Sequence, residues 1–427
     1  MKKQSFRRRK QSAKRRRRRR KSFSAIDRVS QLPQPILHNI LSLLSQRDAV
    51  RTSVLSKSWR YLWHGRLNVE FRYNWFARKN VFFSFLDRTL QRYLDQNLSL
   101  QKFLVYNEYE VDFVLLQKWI PVLIMNIGVR SFNISFHESS NFFPLPLVVF
   151  QSESLVELHL QRCDLKILES TYNVVMLKNL QTLRLHYVYI TDEIFEKIIS
   201  GCPLIENLDM FMCSGFKSIK LHKHHIIKNL PCFLDERCII EAEDPHTLES
   251  FYIENRCLNW SLPHKNMHFP HLKSLKLQDV KLNADTFSNF SSFFPCLNEL
   301  IINNCNGFEE FSLLSSSIKR LTIIMGLKNR IKAFFDTPNI LYFEYSCDGD
   351  AVLPSIKFTT TSNEWKSKIS LSCKLERSDK DLLELNKLLK ALNQSHITLS
   401  LYHTVFRKKL DIDDSYGGIC WKRVDQF

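Results

Sequence analysis

A six-residue template, L-x-x-L-x-L with any large apolar residue at the marked positions, recurs along the middle of the chain. Val129/Phe132/Ile134, Leu155/Leu158/Leu160, Leu180/Leu183/Leu185 and Ile205/Leu208/Met210 meet it first. Leu248/Phe251/Ile253, Leu272/Leu275/Leu277, Leu297/Leu300/Ile302, Ile318/Leu321/Ile323 and Ile340/Phe343/Tyr345 follow. Successive starts differ by 26, 25, 25, 43, 24, 25, 21 and 22 residues. A unit this short cannot bury its apolar face alone, so the repetition demands stacking of neighbour on neighbour. The alternation within the template is that of a strand with one buried face. The chain is therefore expected to form an α/β solenoid, with parallel strands on its concave side and helices or irregular segments on its convex side. The gap of 43 is close to two periods. Phe216/Ile219/Leu221 or Cys238/Ile239/Ile240 are the expected sources of a degenerate strand inside it.

The cysteines follow the same period. Cys163, Cys213 and Cys305 each fall three residues after a template's last position, where such repeats turn an Asn or Cys into the core. That argues against metal ligation, as does the lack of a C-x-x-C pair among the eleven cysteines. Reduced, buried thiols are expected. His222, His224 and His225 lack ligand spacing and have no acid or Cys near at useful spacing, so they read as surface residues of an irregular stretch, 222–246. Convex helices are expected at Thr191–Ser200, with an N-cap Thr, acids in the first turn and Gly201 after it, and at Ala284–Phe293.

Residues 67–128 alternate strand and helix less regularly and are expected to cap the start of the array, with a helix that stops at Pro121. The repeats are assigned to 129–361. From 362 to 427 a closing segment is expected: a helix capped by Ser378 that buries Leu382, Leu383, Leu385, Leu388, Leu389 and Leu392, then a strand at Ile397–Leu401. This segment should cover the last repeat's open edge, with a loosely held tail from Arg407.

The net charge of +18 belongs to one end. Residues 1–21 hold 14 of the 61 Lys and Arg and no acid, which leaves 47 basic against 43 acidic residues in the remainder. A basic nucleic-acid groove is thus disfavoured as the main activity, and non-specific contact through the tail is all that is expected. Residues 1–24 cannot bury a core and read as disordered. Their cluster Arg15, Arg16, Arg17, Arg18, Arg19 and Arg20 is a candidate nuclear-localisation signal for an import receptor, which makes the nucleus, with the cytoplasm as a second location, the expected compartment. No apolar run reaches the ~18–20 residues that span a bilayer, so no membrane partner is expected.

Between the tail and the array lies a dense apolar stretch, 25–66. Leu32, Ile36, Leu37, Ile40, Leu41, Leu43, Leu44, Val50, Val54, Leu55, Trp59, Leu62 and Trp63 exceed what so small a unit could bury, which implies a second protein. Three short helices are expected, the second capped by Ser45 with Asp48 and the third by Ser56. Asp27-Arg28-Val29-Ser30, Leu32-Pro33, Ile40-Leu41-Ser42 and Asp48-Ala49-Val50-Arg51-Thr52-Ser53-Val54-Leu55-Ser56, followed by Trp59-Arg60-Tyr61-Leu62-Trp63, resemble the F-box of plant F-box proteins that continue into leucine-rich repeats. Ser45 stands where many relatives have proline and Ser58 where a basic residue is usual. The closing segment is similar to that of the same family, more weakly.

The resemblance implies docking onto the Skp-type adaptor of a cullin-based ubiquitin ligase, through Leu32, Pro33, Ile36, Ile40, Leu41, Leu44, Leu55 and Trp59. It also implies a division of labour in which the repeats hold an unknown protein substrate and other subunits transfer ubiquitin. No catalytic signature contradicts it. G-x-S-x-G, a phosphate-binding glycine loop and H-E-x-x-H are missing, and nine glycines serve the whole chain. A non-enzymatic, cofactor-free adaptor is expected. Its substrate contacts should come from concave strand residues: Glu157, His159, Arg184, His186, Glu206, Asp209, Tyr252, Glu254, Lys276, Gln278 and Asn303. A scaffold that does not degrade its partner and a basic nucleic-acid-binding protein are the alternatives.

Overall fold

The computed structural model describes residues 31–401 and 420–423, apart from 53, 55–58, 60–61, 63–64, 77, 108–112, 137–141, 171, 173, 216, 223–225, 235–238, 244, 255–267, 283–286, 288, 308, 326–330, 349–353, 361–363, 373–378 and 393–394. The localisation cluster, Leu55, Ser56, His224, His225 and Ser378 lie outside the described residues. The rest falls into two compact units, 31–70 with 88–103, and 71–87 with 104–423.

In the first unit Pro33 is the N-cap of a helix at Gln34–Leu43, where its fixed φ and missing N–H cost nothing. Ser45 caps the next helix, Gln46–Thr52, as expected. Its hydroxyl accepts from the Asp48 amide at 3.1 Å and donates to Asp48 Oδ2 at 2.7 Å. Arg51 completes the turn with an ion pair to Asp48 at 3.1 Å. Leu37, Leu41, Ala49, Trp59 and Leu62 close a small core, and Ile40 and Leu44 pack against it. Arg66 Nη2 donates to the Leu44 carbonyl, and Tyr93 Oη to the Arg66 carbonyl, at 2.8 and 2.6 Å.

Among the described residues of the second unit the strands of the main sheet are joined in chain order, from Ser131–Phe136 to Cys420–Arg423. The pairings from Ser131–Phe136 onward are parallel and keep the template in register. Leu158 lies opposite Leu183 and Leu183 opposite Leu208; Leu275, Leu300, Leu321 and Phe343 form a second such row. These residues are at most 1% exposed, so the repeat core is one continuous stripe of stacked apolar side chains. Cys163, Cys213 and Cys305 join it, and burial pushes all three thiols up, to about 12 for Cys213 and about 11 for Cys305. Among the described residues no group of His, Cys, Asp and Glu could hold a metal ion.

The strand missing from the 43-residue gap is Asn229–Leu234, seated between Asn207–Cys213 and Ser250–Glu254. Its template is Ile227/Leu230/Cys232, buried at 3%, 0% and 0%, and it divides the gap into periods of 22 and 21. This corrects the expectation at 216–221 or 238–240. Ser218–His222 and Ile239–Glu243 pair with each other in a separate two-stranded sheet. Two features hid the real strand: a cysteine at its last core position, and Pro231, which has no amide hydrogen and is unusual inside a sheet.

The helix at Asp192–Ser200 forms as expected, with the Thr191 side chain accepting from the Ile194 amide at 3.3 Å. At 284–293 only Phe290–Phe293 is a described helix. Past residue 305 the convex side changes character. Glu310–Leu314, Lys332–Asp336 and Ser355–Thr359 form a three-stranded parallel sheet there. A period of 21–22 residues leaves room for a second strand but not a packed helix, and Phe311, Phe335, Phe343 and Phe358 fill the layer between.

Three end features differ from expectation. The helix Phe113–Pro121 does not stop at Pro121 but widens into a π turn, Val122–Ile127, ended by left-handed Gly128 (φ 68°). A proline N–H is not needed where the bonding pattern loosens. In the helix Asp379–Ala391, Leu383 is 54% exposed while Leu385, Leu388, Leu389 and Leu392 are buried. The strand Ser395–Leu401 then joins the main sheet beside Trp365–Ser372, and Cys420–Arg423 adds beyond it. The C-terminal helix and strand are thus a further turn of the array rather than a lid on it, and the tail past Arg407 contains a paired strand.

Candidate interaction surfaces

Two surfaces carry the candidate residues, one on each unit. On the first, helix Gln34–Leu43 is apolar on two sides. Leu37 and Leu41 point inward at 3% and 0% exposure. Ile36 and Leu43, with Ile40 between them at i+4 and i+7 spacing, line the other side, and Ile36 is 45% and Leu43 86% exposed. Leu32 (37%) and Pro33 are exposed ahead of it. The proposed docking residues therefore divide. Leu32, Pro33 and Ile36 face outward, Ile40 and Leu44 are half-buried, and Leu41 and Trp59 sit inside the unit's own core. Leu43, absent from the expected set, is the most exposed large apolar residue among the described residues of the stretch. Its i+7 relation to Ile36 was the available signal.

On the second unit, strand alternation sends the residues between template positions to the concave face. The expected residues gather there into two clusters. In the first, neighbouring strands place Asn133, His159, Arg184 and Asp209 in one row. Ser135 Oγ donates to Asn133 Oδ1 at 3.0 Å, and Asn133 Nδ2 donates to His159 Nδ1 at 2.8 Å. The His159 proton is thereby on Nε2, which faces His186 Nδ1 at 3.3 Å. His186 Nε2 lies 3.4 Å from Asp209 Oδ2, and Arg184 Nε 3.9 Å from the same oxygen. Burial, reinforced by His186 and Arg184, holds His159 down to about 4. Phe211 continues the face with His186 at 5.5 Å, and it stacks on Phe233 at 4.8 Å. Arg162 lies over Tyr187, whose ring meets Phe211 at 5.4 Å. Glu157 is exposed and accepts from Ser131 Oγ at 2.9 Å.

In the second cluster Tyr252 Oη donates to the Glu254 carboxylate and also lies 3.1 Å from Gln278 Oε1. Asn303 Nδ2 donates to that same Gln278 oxygen at 3.1 Å. Lys276 Nζ sits 4.1 Å above the Tyr252 ring. Burial and Glu254 push the Tyr252 phenol up. A second copy of the device occurs later, with Tyr342 Oη on Glu344 at 2.9 Å, Arg320 over the Tyr342 ring and Lys368 on Glu344 at 2.6 Å. Two expected residues are placed differently. Glu206 precedes its strand and lies on the rim, paired with Lys228 at 2.8 Å. Glu254 is only 8% exposed and is occupied by Tyr252. Phe211 was missed although it holds the position of His186 one turn on. Phe233 was missed because its strand was.

Comparison with known proteins finds matches in both regions of the chain. Residues 29–69 match the F-box domain model, and residues 93–370 match the model described as the At1g61320/AtMIF1 LRR domain. The chain is similar to the F-box/LRR-repeat protein At3g59200 of Arabidopsis thaliana, 33% identical over 50% of this chain and 42% of that protein. It is also similar to the Arabidopsis thaliana F-box protein At1g60400, 26% identical over 74% of this chain and 77% of the relative. A third, F-box/FBD/LRR-repeat protein At1g13570 from the same plant, is 31% identical over 46% of each. The chain spans less than half the length of the first and third of these.

Proposed function

The chain belongs to the family of F-box proteins with leucine-rich repeats, and on that premise we propose that it is the substrate-recognition subunit of a Skp–cullin–F-box ubiquitin ligase. Its F-box holds the Skp-type adaptor, and through it a cullin. Its repeats hold a protein destined for ubiquitination and proteasomal degradation, and the basic tail brings it to the nucleus by way of an import receptor. The observation that supports this best is the outward set Leu32, Ile36 and Leu43. A short helical unit that shows several large apolar side chains to water, while a separate set fills its core, has the makings of a docking surface. Burying each such side chain contributes ~1.5–3 kcal/mol, and a handful offsets the several kcal/mol that association costs.

The chain contributes position rather than chemistry. Anchored at one end and holding a target at the other, it raises the effective concentration of a target lysine near the transferring subunit. The test is turnover. Proteins captured by the full chain are identified with and without residues 27–63. The expected result is that at least one captured protein persists longer when the F-box is deleted. If every captured protein keeps its half-life, the chain is a scaffold and the degradative role is wrong.

A further inference from the structure

The rim of the sheet, one residue ahead of each strand, is a ladder of its own. Each rim amide donates to the carbonyl of the previous rim residue: Lys228 to Glu206, Glu249 to Lys228, Lys273 to Glu249, Asn298 to Lys273, Lys319 to Asn298 and Leu341 to Lys319. The early part of this row neutralises itself. Glu206 pairs with Lys228 at 2.8 Å and Glu249 with Lys273 at 2.9 Å. The alternation breaks at Asn298. Lys319 is then flanked by an amide and a leucine, and among the described residues neither it nor Arg320 has a carboxylate partner. Glu299, opposite Arg320 in register, accepts instead from Ser274 Oγ at 3.0 Å. Arg320 lies over the Tyr342 ring at 5.2 Å. Leu341, 52% exposed, puts an apolar side chain where the six preceding rim residues are polar. Lys273, Ser274, Asn298, Glu299, Lys319, Arg320 and Leu341 line a groove of about 520 Å³.

We propose that this groove binds an anionic segment of the target protein, with carboxylate or phosphate groups on Lys319 and Arg320 and an apolar side chain against Leu341. The inference rests on the substrate-recognition role above and gives the target its chemistry. Excess cations next to one exposed leucine fit an acidic, leucine-containing peptide. The test uses the full chain and three fluorescent probes: a short glutamate peptide with a central leucine, its phosphoserine counterpart, and a glutamine version. Because the basic tail also attracts anions, the comparison is between variants that all keep it. Lys319→Glu with Arg320→Glu is expected to weaken both anionic probes about tenfold, as two lost exposed charge contacts imply. Whichever anionic probe binds tighter identifies the group. Leu341→Ser should weaken the glutamate peptide but not the same peptide with serine in place of its leucine. If the double variant does not fold, Lys319→Gln, at an exposed side chain, replaces it with a smaller expected loss.

Unchanged affinity in a folded variant overturns the proposal, as does displacement of the peptides by a uridine-rich RNA that loses affinity in the same variant. Adaptor retention is measured on the same samples. Peptide loss with adaptor retained supports both groove and role. A wild-type chain that binds peptide but no adaptor sinks the role and leaves the groove standing.

Discussion

Leu41 and Leu43 are two residues apart on one helix and are expected to fail in opposite ways. Leu41 has no exposed surface and touches the cluster of Leu37, Ala49, Trp59 and Leu62. Truncation to alanine removes its transfer energy and leaves a cavity, at a cost of about 2–5 kcal/mol. A helical unit this small has little more than that in reserve. Leu41→Ala should therefore melt the unit and lose the adaptor indirectly. Leu43 is 86% exposed, so Leu43→Ala should change folding by less than about 0.5 kcal/mol. If the adaptor covers it, the same substitution weakens docking by about 1.5–3 kcal/mol, or roughly tenfold to a hundredfold in Kd. Urea unfolding of the chain and calorimetric titration with the Skp-type adaptor separate the two effects. Normal affinity in Leu43→Ala, or an undiminished F-box in Leu41→Ala, would refute the assignment of inward and outward stripes.

Other consequences follow from the repeats. A Cβ at Gly201 would lie 2.4 Å from the Val175 carbonyl oxygen, so Gly201→Ala should lower stability by about 1–3 kcal/mol, read as a lower urea midpoint. Exposed Cys296 should react with a thiol reagent at pH 8 while Cys163, Cys213 and Cys305 stay unmodified until the protein unfolds, as mapped by mass spectrometry. His159 titrates near 4 when folded against 6.5 when unfolded. The unfolded chain thus binds the extra proton first. The stability this neutral histidine contributes is whole above pH 6.5, falls as pH drops from 6.5 towards 4, and changes no further below that. His159→Gln should flatten that part of the stability curve, and an unaltered slope would exclude His159 as its source.

Most of the array was legible because nine copies of one apolar pattern state the same solution nine times, and stacking makes each copy's register depend on its neighbours. What escaped lay where a residue type disguised its position. Pro231 and Cys232 masked a strand that the neighbouring turns force into the sheet. Leu383 looked like core in a run of leucines, yet helical geometry places it on the opposite side from Leu385, Leu388 and Leu389. Along the concave face, the strand period marked which residues face outward. Only the fold could show which bond to one another across strands, such as Asn133, His159 and His186, because those partners are 26 and 27 residues apart. In the F-box the apolar surplus was plain, but its division into core and surface needed the helix phase relative to Ala49 and Trp59.

The proposed role is delivery of a bound protein to ubiquitin transfer. Its most direct test is a reconstituted reaction containing the adaptor, the cullin, its transferring subunits and a protein captured by the repeats, read as ubiquitin attached to that protein. Modification is expected only when the full chain is added, and it should vanish with Ile36→Asp and Leu43→Asp while capture of the target is unchanged. A target that stays bound but unmodified with the adaptor docked, or one modified equally by the double variant, would contradict that role.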